Sequence, residues 1–233
     1  MKRDILDSLT AARQERRPAV LATHLGSGAS ALYRPGVDTE LQFAGQDLTA
    51  DADAALAADR TRTVETPDGE VFLNIYNPPL RMLIIGAVHI TQELAPMAAR
   101  LGFDVTIIDP RGAFAEAERF EGLSVSTDWP DDALKASPPD ARTAVITLTH
   151  DPKLDDAALL EALASPAFYI GSLGSRKTHG ARLERLRRQG VDEEALERIN
   201  GPVGLNIGAT SPGEIAVSIL AQVIETLRGG AKP

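Results

Sequence analysis

Apolar residues fall in short blocks along this chain, separated by glycine and proline, and their spacing changes character near residue 80. In residues 3–15, Ile5, Leu6 and Leu9 share one helical face. Residues 19–25 and 41–43 read as short strands, and 46–63, rich in Asp and Ala, as a helix and a loop. Thr66-Pro67-Asp68-Gly69 signals a turn. The next stretch, EVFLNIY at 70–76, alternates apolar and polar positions, the period of a half-buried strand. Asn77-Pro78-Pro79 then stiffens the chain, which places a small N-terminal lobe at 1–79 and a main domain at 80–233.

Beyond that point strands and helices alternate. Residues 82–85 are continuously apolar, as in strands buried on both faces. A helix follows, with Ile90, Leu94, Met97, Ala98 and Leu101 on one stripe, Pro96 as an internal kink and Gly102 as its stop. Strands are expected at 105–108, 123–125, 144–148, 168–171 and 203–207. Helices are expected at 156–164, at 175–189 with Gly190 as the stop, and at 212–227 with Ile215, Ile219, Val223 and Leu227 on one face. Such alternation predicts an α/β fold, a Rossmann-like parallel sheet with helices on both faces.

Residues 81–111 are the first βαβ unit of that fold, and they depart from the dinucleotide fingerprint. Where Gly-x-Gly-x-x-Gly is expected, the chain has Gly86, Val88 and Thr91. Val88 puts a branched side chain where a pyrophosphate presses closest, which disfavours the standard dinucleotide pose. Asp109 lies 23 residues beyond Gly86, near the ~20 expected of a ribose ligand.

Composition narrows the function classes. The net charge of −9 argues against a nucleic-acid partner. No apolar run reaches the length of a membrane span, and the N-terminus lacks the apolar core of a secretory signal. The absence of cysteine excludes disulfides, thiolate metal sites and a persulfide on this chain, and fits a cytoplasmic location. With four histidines and no cysteine, no dedicated metal site is expected.

Ligands of parallel α/β sheets bind outside the carboxyl ends of the strands. The residues collected there are Gly86, Ala87 and His89; Asp109 and Arg111; Thr149, His150 and Asp151; and Gly171, Ser172, Gly174, Ser175, Arg176 and Lys177. Three of the four histidines, His89, His150 and His179, fall in or beside these loops. GSLGSRK at 171–177 is the best anion site, since glycines bare the backbone and a helix starts beside two cations. From Arg176 to Arg188 six residues are basic and one is acidic, and Arg185, Arg187 and Arg188 read as a solvated face. Plainer readings compete at several positions. Gly86 could simply make a tight turn, His89 could cap its helix, and Asp109 could make a local turn with Arg111. His150-Asp151 could transfer protons or merely precede a helix. Ser211-Pro212-Gly213-Glu214 reads as a structural capping box. No catalytic triad or phosphate loop stands out.

Three segments together carry a resemblance: GAVHITQELAPMAARLGFDVTIIDPR, then TLTHDPKLDDAALLEALASPAFYIGSLGSRKTHGARLERL, then GPVGLNIGATSPGEIAVSILAQVI. In this order, over about residues 70–226, they resemble the Rossmann domain of the xanthine dehydrogenase accessory-protein (XdhC/CoxI) family. The resemblance implies a maturation factor that binds molybdenum cofactor (molybdopterin), takes part in its sulfuration with a cysteine desulfurase, and delivers it to a molybdenum hydroxylase client. The role would be protection and transfer without catalytic turnover, with no catalytic residues on this chain. Two departures stand out. The family's Gly-Ala-Gly-His is Gly86-Ala87-Val88-His89 here, and its N-terminal Ser-Gly-Gly-Cys motif has no counterpart in residues 1–80. A separate cysteine-bearing small subunit would then supply the thiol, and a second copy of the chain is a further partner this reading allows. The rival reading is an NAD(P)-dependent oxidoreductase on the same fold.

Overall fold

The computed structural model describes residues 2–112 and 117–229. The chain divides into two compact units, Met1–Pro78 and Pro79–Pro233.

The first unit runs α1 (Arg3–Gln14), β1 (Ala19–His24), β2 (Ser30–Tyr33), β3 (Gln42–Phe43), β4 (Gln46–Asp47), α2 (Thr49–Ala57), β5 (Arg62–Thr66) and β6 (Gly69–Tyr76). Four strands form an antiparallel sheet in the order β2-β1-β6-β5. The alternation in β6 turns Val71 and Leu73 inward, onto Val20, Ala22, Leu48 and Ala52. β2 and β5 escape the sequence pattern because both are edge strands, and neither has a fully alternating buried face. In α1 the buried residues are Leu9 and Ala12. Leu6, expected on that face, is 46% exposed. His24 is structural. Its Nδ1 accepts from the Ser27 N–H at 2.9 Å, and its Nε2 donates to the Asp68 carbonyl at 2.8 Å, so it ties one turn to another.

The second unit carries the candidate site. Its elements are β7 (Arg81–Ile85), α3 (His89–Arg100), β8 (Asp104–Ile108), β9 (Ser124–Ser126), α4 (Pro130–Ala136), β10 (Thr143–Thr147), α5 (Pro152–Leu163), β11 (Tyr169–Ser172), α6 (Arg176–Arg188), α7 (Glu193–Glu197), β12 (Ile199–Asn200) and α8 (Pro212–Leu227). The six strands are ordered β12-β11-β10-β7-β8-β9 and every pair is parallel. The first strand of the unit therefore lies beside the fourth, which is the Rossmann order with its switch point between β7 and β10.

Alternation within buried strands builds two cores. Met82 and Ile84 face α3 and α8 with Leu94, Ala98, Ile219 and Val223. Leu83 and Ile85 face the other way, onto Leu134, Leu159 and Leu186 of α4, α5 and α6. Continuous apolar runs at 82–85 and 144–146 are what a sheet covered on both faces requires.

Several boundaries differ from the pattern. Residues 203–207 are not a strand. The last strand is Ile199–Asn200, and Val203 enters the α3/α8 core from a loop. α5 starts at Pro152, because Asp151 caps it by accepting from the Lys153 N–H, and proline suits the first helical position. Pro96 sits within α3 without ending it. Leu101 lies past the end of α3 and is 54% exposed, so it leaves the expected apolar stripe. The short helices α4 and α7 carry too few periodic positions to announce themselves.

Candidate functional site at the carboxyl ends of the strands

The β7 turn and the end of β8 form one locked assembly. Gly86 has φ +111°, and a Cβ there would lie 2.7 Å from Thr149 Cγ2. The glycine serves close passage of the β10 loop; the space in front of it is already filled. Asp109 is fully buried. Its Oδ2 accepts from the Ala87 N–H and from Arg111 Nη2, each at 2.8 Å. Its Oδ1 accepts from the Arg111 N–H at 3.0 Å and from Nε at 2.9 Å. Burial pushes the Asp109 carboxyl up, but the Arg111 and backbone hydrogen bonds outweigh it and hold the group below its ordinary value. Every favourable direction on the carboxylate is thus used internally. A dinucleotide pose loses its ribose acceptor here, and also the Ala87 N–H that could have faced a pyrophosphate. Val88 is half-buried at the start of α3, and His89 beside it is exposed, with Nδ1 3.1 Å from Gln92 Oε1.

At the end of β10, Thr149 is also structural. Its hydroxyl donates to Asp155 Oδ1 at 2.7 Å and accepts from the Asp151 N–H at 3.0 Å. Asp155 is 2% exposed. Its burial raises its pKa, against the Thr149 hydrogen bonds and the charge of Arg182. His150 projects into solvent from a left-handed backbone, φ +63°. Its neighbour Asp151 is occupied as the α5 cap.

At the end of β11 the expected anion loop splits in two. Gly171 and Ser172 belong to the strand and are buried. A Cβ at Gly171 would overlap Val203 and Tyr169. The Ser172 hydroxyl pairs with Thr147 inside the sheet, so it is withdrawn from any ligand. The loop proper is Leu173 and Gly174, the latter at φ +144°. Ser175 caps α6, its Oγ accepting from the Thr178 N–H at 3.1 Å. Arg176 and Lys177 are exposed and make no ion pair among the described residues. Of the arginines expected on a solvated face, Arg187 and Arg188 are exposed. Arg185 instead clamps buried Asp156 through Nε at 2.6 Å and Nη2 at 2.9 Å.

Fourteen candidate positions thereby separate into a buried frame and a rim. Gly86, Ala87, Asp109, Thr149, Gly171 and Ser172 hold the loops. His89, Arg111, His150, Asp151, Gly174, Ser175, Arg176 and Lys177 reach the surface at least in part. Sequence reasoning missed Asp155 and Arg182, which tie the β10 and β11 loops together from below. Arg182 Nη2 donates to the Leu173 carbonyl at 2.7 Å and stands 3.9 Å from Asp155 Oδ2. The only available signal was its place within a basic run. Among the described residues no group of three or more His, Cys, Asp or Glu could hold a metal ion, and no helix is long and apolar enough to cross a membrane.

Comparison with known proteins decides the family. Residues 82–223 match the XdhC Rossmann domain. The chain belongs to the XdhC family. Uncharacterized protein YqeB of Escherichia coli (strain K12) is 32% identical over 155 residues, 66% of this chain and 29% of YqeB. The molybdenum cofactor insertion chaperone PaoD of the same organism is 33% identical over 148 residues, 64% of this chain and 40% of PaoD. A probable xanthine dehydrogenase subunit of Bacillus subtilis (strain 168) is 30% identical, over 67% of this chain and 46% of that protein. The chain thus spans less than half the length of these relatives. A crystal structure of a xanthine dehydrogenase from Bacillus halodurans superposes with a TM-score of 0.70 at 26% identity, covering 97% of this chain and 66% of that one.

The XdhC domain ends in a helix whose start is held by charge. Glu214 Oε2 accepts from the Ser211 N–H and the Thr210 N–H, each at 2.8 Å, and Ser211 Oγ accepts in return from the Glu214 N–H. The Ser211 and Thr210 amides bring the Glu214 carboxyl down to about 2. Its folded value lies below its ordinary 4.5, so its contribution is complete above that pH and is lost as pH falls through about 2. Acidification between those limits is expected to lower the melting temperature less in Glu214→Gln than in the unmodified protein. Equal losses in thermal unfolding would assign the acid sensitivity to other carboxylates.

Proposed function

We propose that this chain is an accessory factor in the maturation of a molybdenum hydroxylase of the xanthine dehydrogenase type. Its cargo is molybdenum cofactor or a related phosphorylated pterin, carried at the strand ends for protection and insertion. The observation that carries the reading is an exposed, unpaired cationic helix start at the strand ends of an XdhC Rossmann domain. The relative named as a molybdenum cofactor insertion chaperone supports the choice of cargo. In this reading the free N–H groups at the start of α6 and the Arg176 guanidinium take the cargo's phosphate, because a helix N-terminus and a cation favour the same anion. Lys177 adds charge, and His89, His150 and Arg111 border the cleft that receives the pterin.

The 233 residues contain no cysteine, so a persulfide cannot form on them. Sulfur for the cofactor then passes from a cysteine desulfurase through a cysteine-bearing partner to the cofactor. The client hydroxylase takes delivery, and the carrier acts alone or as a homodimer.

The reading is tested by mass spectrometry of small molecules released from protein purified from a host that makes molybdenum cofactor. A molybdopterin-type product is expected; NAD or no ligand would refute it. Arg176→Ala removes one charge-assisted hydrogen bond, about 1.5–3 kcal/mol. Binding of the phosphorylated cofactor is expected to weaken about tenfold to a hundredfold. Arg188→Ala, at the far end of α6, is expected to change it little. Equal losses in a titration would reduce α6 to a diffuse basic surface.

A further inference from the structure

The exposed side of α8 carries a row of side chains that the carrier reading does not use. Glu214, Val217, Ala221, Ile224 and Arg228 recur at intervals of three and four, the spacing that lines the seam between paired helices. Ala216, Ile219, Leu220 and Val223 face the other way, into the α3/α8 core. Val217 is 49% exposed and Ile224 39%, with half-buried Ala221 between them. Two large apolar side chains and a small one thus form a strip open to solvent along about two turns of helix.

The ends of the row are charged, and the charges are opposite. Glu214 stands in the first turn of α8, and Arg228 follows directly after its last residue. Both are exposed. Glu214 uses only Oε2 in the capping box, which leaves Oε1 without a hydrogen bond among the described residues. The Arg228 side chain makes no hydrogen bond or ion pair among them either. Along the helix the row runs acid, valine, alanine, isoleucine, base. Turned end for end, it is its own complement.

We propose that this face of α8 binds a second copy of the chain, with the two α8 helices antiparallel about a two-fold axis at Ala221. Ala221 then meets its own counterpart, Val217 meets Ile224 twice, and Glu214 meets Arg228 twice. Each contact is returned, as a closed two-fold interface requires. The alanine lets the helices approach, because interaxial distance follows the side chains at the contact. A parallel pair would set Glu214 against Glu214 and Arg228 against Arg228, so charge selects the antiparallel one. The match of both charged ends to the row itself favours a second copy over an unrelated protein. Three apolar side chains per copy make a small contact, below the roughly 1,200 Å² of stable interfaces, so the dimer is reversible. The inference goes beyond the carrier reading, which leaves one copy or two open. It involves no cargo, so its failure leaves that reading untouched.

Sedimentation of the full chain from micromolar to millimolar concentration is expected to show a monomer–dimer equilibrium. Ile224→Asp puts a carboxylate into the seam and is expected to weaken dimerisation by about tenfold or more. Circular dichroism of that variant should stay native, since Ile224 faces solvent in the monomer. The chain holds no cysteine, so one introduced thiol reports on one contact. Under mild oxidation Ala221→Cys is expected to form a disulfide between copies far faster than Thr226→Cys, which is exposed but off the row. Val217→Cys and Ile224→Cys are expected to cross-link when mixed and hardly at all alone. Rapid cross-linking of Val217→Cys with itself would mean parallel pairing and would overturn the proposal. So would equal rates at positions 221 and 226, a dimer that Ile224→Asp leaves intact, or a monomer at every concentration.

Discussion

Gly86→Ala is expected to destabilise the Rossmann unit by about 2–6 kcal/mol, from two separate costs. The first is backbone. At φ +111° the residue lies where an L side chain is strained, at about 1–3 kcal/mol. The second is overlap. The new methyl would sit 2.7 Å from Thr149 Cγ2 and 3.3 Å from the Thr149 nitrogen, and crowding of a packed interior costs about 1–3 kcal/mol. Against a whole-domain stability of ~5–15 kcal/mol, the loss is large. Urea denaturation should show a lower midpoint with an unchanged slope. Thr149→Ser removes the offending methyl and keeps the hydroxyl that Asp155 accepts from. In that background Gly86→Ala is expected to cost less, because only the backbone strain and the contact with the Thr149 nitrogen remain. A cost under about 1 kcal/mol in the native background would overturn both terms, since a β10 loop free to move aside would relieve only the overlap and leave the backbone strain.

Asp109→Ala is the second large effect, about 3–5 kcal/mol, the range for breaking a buried ion pair by deleting one partner. The carboxylate accepts four hydrogen bonds, two of them from backbone N–H groups of Ala87 and Arg111. Alanine would leave the buried Ala87 N–H unpaired and the Arg111 guanidinium without its bidentate partner. Arg111→Ala is expected to cost less, because its side chain is 34% exposed and water can replace part of what it supplies to Asp109. A double-mutant cycle of the two should give a coupling of roughly 1–3 kcal/mol. Additive losses would show that Asp109 serves Ala87 alone. Far-reaching loss of ligand binding is also expected in Asp109→Ala, since the β7 and β8 loops share this strut.

These two residues mark where reading a chain falls short. Both stood in positions that the dinucleotide pattern assigns to a ligand, and both are spent on the protein itself. Residue spacing puts Asp109 at the end of β8 but cannot tell whether its oxygens face outward to a hydroxyl or inward to Ala87. The same ambiguity holds for Thr149 and Ser172. A hydroxyl at a strand end looks like a ligand donor until its partner, Asp155 or Thr147, is seen across the sheet. Arg182 is the converse. It stands in a run of six basic residues, and neither that run nor helical phase was a strong enough signal to single it out.

Local rules worked where the physics is local. The Ser211/Glu214 capping box closes within four residues, so it is legible in one glance at the chain. Continuous apolar runs required a sheet covered on both faces, because such strands can satisfy neither face in water. The motifs of the XdhC family, in order along the chain, were legible for the same reason: each is a contiguous stretch. The missing thiol is a fact of composition. Tertiary structure alone decided everything that depends on contacts between distant residues. It set the order β12-β11-β10-β7-β8-β9, moved the last strand to Ile199–Asn200 and left Val203 in a loop. It also sorted the strand-end residues into frame and rim. The physical reason is burial. A polar side chain taken out of water must find its partner within the protein, and which partner it finds is settled only when distant segments meet.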